Sequence, residues 1–184
     1  MGSIKITTPL NRESAAQLKA GESILLSGVI YTARDAAHKR LVDLLAQGQP
    51  LPFDIQGQVI YYVGPSPAPP GRVIGSAGPT TSTRMDAYTP RLLAAGMLGI
   101  IGKGDRSPGV VESLVQHGGV YFGAVGGAGA LIARCITEAE VVAFPDLGAE
   151  AVHRLKVEKM PLVVLIDSKG ENFYRLGRSQ YAKS

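Results

Sequence analysis

The chain has a single cysteine, no tryptophan and few charged residues, and each of these shortages excludes a class of protein. One cysteine, Cys135, cannot form an internal disulfide, which predicts a reducing compartment. It cannot hold an iron–sulfur cluster or a structural zinc site either, because those take three or four ligands. The 19 Lys and Arg residues are scattered and tryptophan is absent, so no nucleic-acid partner is predicted.

Long apolar stretches are also missing from the sequence. The longest, residues 92–102, is too short and too rich in glycine to span a bilayer, so no membrane partner is predicted. Residues 1–14 lack the apolar region of a signal peptide, and we therefore expect a cytoplasmic protein. Only 18% of the residues are charged, which suggests that a partner covers part of the surface.

The length of 184 residues predicts one domain over residues 1–184. Apolar strand-like runs alternate with helical patterns in the middle of the chain, and strands predominate at both ends. This alternation predicts an α/β fold with a mixed sheet. Strands are predicted at 4–6, 23–31, 59–63, 98–101, 120–125, 140–144, 152–157 and 162–166, with a terminal hairpin that includes Phe173 and Tyr174. Helices are predicted at 11–18, 35–48 with Asp35 as the N-cap, 90–95, 108–115 and 129–136.

Residues 75–86 concentrate glycine, hydroxyl and charged side chains in one segment. It reads Gly-Ser-Ala-Gly-Pro-Thr-Thr-Ser-Thr-Arg-Met-Asp, between a short apolar run and a helix-like run. Glycines let a backbone approach a ligand closely, and hydroxyls and amides at such a turn bind anions. A fold does not need such a loop for its own stability, so the segment predicts an anion site.

Three cations share the context of this loop. Arg34 and Lys103 each follow an apolar strand, and Arg84 lies in the loop itself. Ligands of open α/β sheets bind outside the carboxyl ends of the strands, and arginine pairs bidentately with carboxylates. Their convergence would suit a small dicarboxylate. For Lys103 alone, a solvated lysine in a turn is an equally good interpretation.

The glycine-rich segment 123–129 is a weaker signal. Gly127 and Gly129 match the start of a dinucleotide-binding fingerprint, but Ile132 stands where the third glycine belongs. Close packing of a helix on a strand is therefore the favoured interpretation, and a nucleotide-binding module is the alternative.

The histidines and the cysteine give no catalytic pattern. His38, His117 and His153 are far apart, and none has metal-ligand spacing with another histidine or with Cys135. His38 lies beside Lys39 on a helix face that the pattern predicts to be polar. We interpret each histidine as structural or exposed, and Cys135 as a small core residue within an apolar helix.

Four segments carry a specific family resemblance. They are Thr-Thr-Pro-Leu at 7–10, Thr-Ala-Arg-Asp-Ala-Ala-His at 32–38, Gly-Pro-Thr-Thr-Ser-Thr-Arg-Met-Asp at 78–86 and Gly-Lys-Gly at 102–104. Together and in this order they resemble the class I fumarate hydratase family, specifically the beta subunit or C-terminal domain of these iron–sulfur hydro-lyases. L(+)-tartrate dehydratase beta subunits belong to the same family. The resemblance spans nearly the whole chain.

The resemblance implies a swivelling β/β/α domain that docks on an alpha subunit. In the family the alpha part supplies three cysteines for a [4Fe–4S] cluster, so this chain is expected to hold neither cofactor nor metal. The single cysteine agrees with that division. The implied assembly is a hetero-oligomer, or a homodimer when the chain is isolated.

The resemblance also implies roles for the residues of the loop and its neighbours. Carboxylate binding falls to the three cations, and proton abstraction at carbon falls to Thr80, with Thr81 beside it binding the substrate. A threonine hydroxyl is a weak base at neutral pH, so Thr80 needs a neighbouring base or cations. Ser82 and Thr83 stand where the family more often has Ala or Gly, which bears on the shape of the loop.

The implied reaction is the reversible hydration of fumarate to L-malate, carried out only together with an alpha subunit. L(+)-tartrate dehydration is the nearest alternative, and no residue of the sequence separates the two. A non-catalytic module that binds a nucleotide or a small acid, and a purely structural partner protein, are the remaining alternatives.

Overall fold

The computed structural model describes residues 2–124 and 129–176 of the chain. Within them, the strands are β1 (Ile4–Thr7), β2 (Ser23–Thr32), β3 (Val59–Tyr61), β4 (Gly99–Gly102), β5 (Val120–Ala124), β6 (Ile136–Ala143) and β7 (Val152–Ile166). The α-helices are α1 (Arg12–Gln17), α2 (Asp35–Ala46), α3 (Thr89–Ala94), α4 (Pro108–His117) and α5 (Gly129–Arg134). Two 3-10 turns cover Ser82–Met85 and Pro145–Glu150, and residues 173–176 form a helical turn.

The strands form one mixed sheet in the order β1-β2-β3-β4-β5-β7-β6. Neighbours from β1 to β5 run parallel, and β7 runs antiparallel to β2, β5 and β6. Because β7 pairs with both β5 and β2, strands β2 to β5 and β7 close into a ring. The α/β class and the mixed sheet predicted from the sequence are confirmed.

The central parallel strands are buried on both faces. Along β4, Ile100 packs in the core beneath helices α2 to α4, whereas Ile101 packs in a second core on the opposite face. In β5, Tyr121 packs in the core beneath the helices and Phe122 packs in the second core. Successive side chains of a strand point to opposite faces, so burial of both faces explains why these strands are continuous apolar runs.

The C-terminal third differs most from the sequence-based prediction. Helix α5 ends at Arg134 and β6 begins at Ile136, four residues earlier than predicted, so Cys135 lies between the two elements and is half-buried. The two predicted strands at 152–157 and 162–166 are one strand, β7. Phe173 and Tyr174 are helical, so the predicted terminal hairpin is wrong for these residues.

The continuity of β7 has a physical reason. Pro161 lacks the N–H that a central strand uses, yet it lies within this strand. In the structure β7 pairs with Leu25 at Pro161 and with Gly28 at Val157, and a register shift lies between the two pairings. Pro161 itself keeps its partner on β2, so the strand continues through the proline. No helix in the described ranges is long and apolar enough to cross a membrane.

Candidate functional site

The carboxyl ends of β2, β3 and β4 lie side by side at one edge of the sheet. The Ala33 amide donates to the Tyr61 carbonyl at 3.1 Å, and the Tyr62 amide donates to the Ile101 carbonyl at 2.8 Å. Arg34 lies two residues after the end of β2, and Lys103 is the first residue after β4. The ends of these parallel strands are the place where α/β sheets bind ligands.

Backbone hydrogen bonds attach the second part of the segment 75–86, the loop 78–86, to this edge. The Thr80 amide donates to the Tyr62 carbonyl at 2.7 Å, and the Ser82 amide donates to the Lys103 carbonyl at 3.1 Å. Thr81 pairs with Lys103 as an isolated parallel bridge. The loop therefore acts as a short extra strand, and it brings the backbones of Thr80, Thr81 and Lys103 together.

Arg34 is held against the same edge from the other side. It is the N-cap of α2, one residue before the predicted Asp35, and its side chain makes no capping bond. Nη2 lies 3.2 Å from a Glu150 carboxylate oxygen, and Nε lies 3.8 Å from Asp35. A Cβ on Gly64 would lie 3.0 Å from Cδ of Arg34, so a residue without a side chain leaves room for the guanidinium. Nε is buried and has no hydrogen-bond partner among the described residues.

The outer face of the site is open. Thr81, Arg84 and Lys103 are exposed, whereas Thr80 is half-buried. Neither Arg84 nor Lys103 has an ion-pair partner within the described residues 2–124 and 129–176. A surface depression of about 400 Å³ lies at the opposite edge, before β3 and β4, beside Gln56 and Gly96. Arg84 in the loop and Lys103 after β4 provide positive charge for an anion but do not enclose one.

Beneath the loop lies a buried ion pair that the sequence analysis missed. The Arg106 side chain is fully buried, with Nη2 2.7 Å from Asp86 and 3.0 Å from Thr89 Oγ1. Its guanidinium carbon lies 5.3 Å from the Tyr62 ring centre and 4.9 Å from that of Tyr121. Asp86 is the last residue of the loop motif, so its role here is structural. Sequence spacing alone gives no signal that Arg106, twenty residues later, is its partner.

Ser82 joins the loop to β4 and β5 through its side chain. Its Oγ accepts the Lys103 amide at 3.1 Å and the Tyr121 hydroxyl at 3.0 Å, and that hydroxyl also lies 3.0 Å from the Gly104 carbonyl oxygen. Burial raises the pKa of the Tyr121 phenol, so the hydroxyl keeps its proton at neutral pH. The expectation that Ser82 bears on loop shape has a physical basis in these bonds.

We expect Gly102→Ala to push the loop away from the sheet. A Cβ on Gly102 would overlap Ser82 Oγ, whereas a Cβ on Gly109 in helix α4 would meet nothing within 4 Å. The substitution should therefore cost about 1–3 kcal/mol of unfolding free energy. Gly109→Ala is the matched control and should leave stability unchanged or raise it by up to about 1 kcal/mol. Chemical denaturation of the two variants checks this, and equal stabilities would contradict the packing of Ser82 on Gly102.

His38 is structural, and it does not lie on an exposed polar face. It is fully buried and meets the Tyr62 ring edge-on at 4.8 Å. Nδ1 lies 2.8 Å from the Arg34 carbonyl oxygen, which can only accept, so Nδ1 carries the proton. Nε2 is buried without a hydrogen-bond partner in the described part of the chain. His38 thus stabilises the first turn of α2, from which Arg34 projects.

Stability should fall in acid because of His38. Burial lowers the pKa of its imidazole to about 4, so the folded state binds this proton more weakly than the unfolded state, whose pKa is near 6.5. The stabilisation is complete above about pH 6.5 and is lost as the pH falls towards 4, by up to about 3 kcal/mol. Denaturation series from pH 7 to 4 on the natural chain and His38→Gln check this. Equal pH slopes in the two proteins would contradict the assignment.

The remaining residues that the sequence analysis considered are His153, possible metal ligands and the glycine-rich segment 123–129. His153 is half-buried and contacts the Ala151 carbonyl, and burial lowers its imidazole pKa. No three His, Cys, Asp or Glu side chains within residues 2–124 and 129–176 could together hold a metal ion. Most of the glycine-rich segment, residues 125–128, lies outside the described residues. Gly129 does lie beside the loop, since its carbonyl accepts the Ala77 amide at 3.5 Å.

Comparison with known proteins identifies the family. The sequence model described as the fumarase C-terminus matches residues 1–177. The chain belongs to this family. A class I anaerobic fumarate hydratase of Escherichia coli is 40% identical over 162 residues, which are 87% of this chain and 30% of that protein. Fumarate hydratase 2 of Leishmania major is 38% identical over 165 residues, 89% of this chain and 29% of that protein.

One relative matches the chain over almost its full length. A Methanocaldococcus jannaschii protein, provisionally named L(+)-tartrate dehydratase subunit beta, is 37% identical over 171 residues. These are 90% of this chain and 88% of that protein. The chain thus spans about 30% of the fumarate hydratases it matches, but nearly all of a protein named as a beta subunit.

Proposed function

We propose that the chain is the beta subunit of an iron–sulfur hydro-lyase that adds water reversibly to fumarate to give L-malate. The observation that carries the proposal is the attachment of the loop 78–86 to the carboxyl edge between Arg34 and Lys103. This attachment brings a loop rich in hydroxyl side chains beside the two cations at the strand ends, Arg34 and Lys103. The chain also belongs to the fumarase C-terminus family. The swivelling β/β/α arrangement is part of this proposal, as is a cytoplasmic location.

The proposal requires a partner that holds the cluster. A [4Fe–4S] cluster needs three or four thiolates, whereas the whole sequence has one cysteine. Cys135 lies between α5 and β6 rather than at the carboxyl edge of β2 to β4. The residues of this chain therefore do not fit the cluster, and the proposal assigns it to an alpha subunit. The open face around Thr81 and Lys103 supports a partner that encloses the site, and a homodimer is the proposed state of the chain alone.

In the proposed reaction this chain binds and orients a dicarboxylate. Arg34 and Arg84 are assigned to carboxylates, because guanidinium groups make paired hydrogen bonds to such groups. Lys103 adds a third positive charge beside Thr81. Binding through several fixed donors holds the reacting carbon in one orientation, which lowers the barrier without further chemistry.

The proton at carbon is assigned to Thr80. Its amide is fixed to Tyr62, so the residue is held at the edge of the sheet. An alkoxide at Thr80 would be stabilised by the nearby cations, because a positive charge favours the deprotonated form of its neighbour. The chain supplies no carboxylate or imidazole that contacts Thr80 among the hydrogen bonds of the described residues, so the proposal takes the activating base from the partner.

L(+)-tartrate dehydration is the second candidate, favoured by the full-length match to the protein provisionally named as that enzyme's beta subunit. Both substrates are dicarboxylates of the same length, and tartrate carries one more hydroxyl group than malate. The same three cations would therefore serve either reaction.

The test is anaerobic reconstitution with a cysteine-bearing alpha-type chain and iron, followed by assays of fumarate, malate and tartrate. We expect turnover of fumarate and malate by the pair and none by this chain alone. Turnover of tartrate alone would assign the second candidate. A correctly assembled pair that acts on no 2-hydroxy diacid would refute the proposal.

A further inference from the structure

Arg106 is a buried cation that the proposed chemistry does not use. The residue is 5% exposed and its side chain is fully buried. Charged side chains are rarely buried unless other groups pair with them. The partners of Arg106 are either part of the loop 78–86 or close to it. It therefore has to be explained by what it holds in place.

The first connection runs to the end of the loop. Arg106 Nε donates to Asp86 Oδ1 at 2.8 Å, and Nη2 donates to Thr89 Oγ1 at 3.0 Å. The second carboxylate oxygen of Asp86 accepts the Ser107 amide at 2.8 Å. Asp86 thus ties the end of the loop to the residue that precedes α4, and Arg106 fixes the orientation of that carboxylate.

The second connection runs through two aromatic rings to the start of the loop. The guanidinium lies over the rings of both Tyr62 and Tyr121. The Tyr62 carbonyl accepts the Thr80 amide, and the Tyr121 hydroxyl contacts Ser82 Oγ. One cation therefore contacts the rings of the two tyrosines that hydrogen-bond to Thr80 and Ser82.

We propose that Arg106 is a positioning residue, which holds the loop 78–86 in register with β4 and acts on the substrate only through it. Stability alone does not account for the buried pair, because apolar residues of similar volume often replace such pairs without loss. A planar guanidinium, in contrast, can face two oxygens and two rings at once in one fixed geometry. The kinetic consequence rests on the proposed function, whereas the structural consequence does not.

Hydrogen–deuterium exchange on the full chain tests the structural consequence. Arg106→Lys keeps the charge but loses the planar fork, and Asp86→Asn breaks the pair from the other side. In both variants the amides of Thr80 and Ser82 should exchange at least about tenfold faster, while the Ile30 amide of β2 stays protected. No change at the loop, or an equal rise at Ile30, would overturn the proposal.

Arg40 supplies the matched control. It also pairs with an aspartate, Asp146, and lies 5.2 Å over an aromatic ring, Phe144, but at the surface. Arg40→Lys should leave exchange at Thr80 and Ser82 unchanged. Faster loop exchange in this variant would mean that any arginine–aspartate pair has the effect, which would contradict a specific role for Arg106.

Kinetics of the reconstituted pair test the second consequence. Arg106→Lys should lower kcat at least about tenfold and also raise KM, because the displaced loop carries both the proton-transferring Thr80 and the carboxylate-binding Arg84. An unchanged kcat would overturn the proposal. If the natural pair shows no dehydratase activity, the proposed function fails, and the exchange experiment still decides whether Arg106 positions the loop.

Discussion

Thr80→Ala in the reconstituted pair is expected to lower kcat by about 10²–10⁴-fold, the range for loss of a group that transfers a proton in the transition state. The backbone of Thr80 is bonded to Tyr62, so the substitution should leave the loop in place. Folding and association with the partner should therefore be unaffected. The measurement is steady-state fumarate hydration, with the assembly state checked by analytical ultracentrifugation.

Thr83→Ala is the matched control for that experiment. Thr83 is an exposed threonine of the same loop, and its side chain makes no hydrogen bond within the described part of the chain. We expect its kcat to remain within about twofold of the natural value, as for a surface substitution away from the chemistry. A Thr80→Ala enzyme as active as Thr83→Ala would remove Thr80 from the mechanism.

Arg84→Ala should lower kcat/KM by about 10²-fold, because it removes a charge-assisted hydrogen bond to a substrate carboxylate. The Arg84 side chain is exposed, so unfolding free energy should change by less than about 0.5 kcal/mol. Arg91→Ala, at an exposed arginine of α3, is the control and should keep its kcat/KM. Steady-state kinetics on both variants, with thermal unfolding, separate loss of binding from loss of fold.

The result that would contradict the assignment is an equal kcat/KM for the Arg84 and Arg91 variants. A fall in kcat/KM that is matched by a fall in stability would also count against a direct contact. In either case the remaining cations of the site, Arg34 and Lys103, would have to account for carboxylate binding alone.

Sequence reasoning could place the backbone of the candidate site because that placement follows from local patterns. Apolar runs mark the strands before Arg34 and Lys103, and parallel strands end at the same edge, so the two residues had to lie near each other. The loop was recognisable because hydroxyl side chains and glycines concentrate there. These inferences need only periodicity and composition.

The buried partners could not be predicted in this way. Whether Arg106 is solvated or paired with Asp86 depends on how α3 and α4 pack, and no local pattern records that. His38 looked exposed because Lys39 follows it, yet the helix turns it onto Tyr62. Two separate runs were predicted at 152–157 and 162–166, yet pairing with β2 continues through Pro161 and makes them one strand. In each case tertiary packing overrode a local preference.

The most direct test of the central claim is to map fumarate binding on the isolated, isotope-labelled chain by NMR. We predict weak, saturable shifts at the amides of Thr80, Thr81 and Lys103, with much smaller shifts from acetate, which has one carboxylate. Residues at the opposite edge, such as Gln56, should not respond. Fumarate shifts that gather around Gln56, or that spread evenly over the surface, would contradict a dicarboxylate site at the carboxyl edge of β2 to β4.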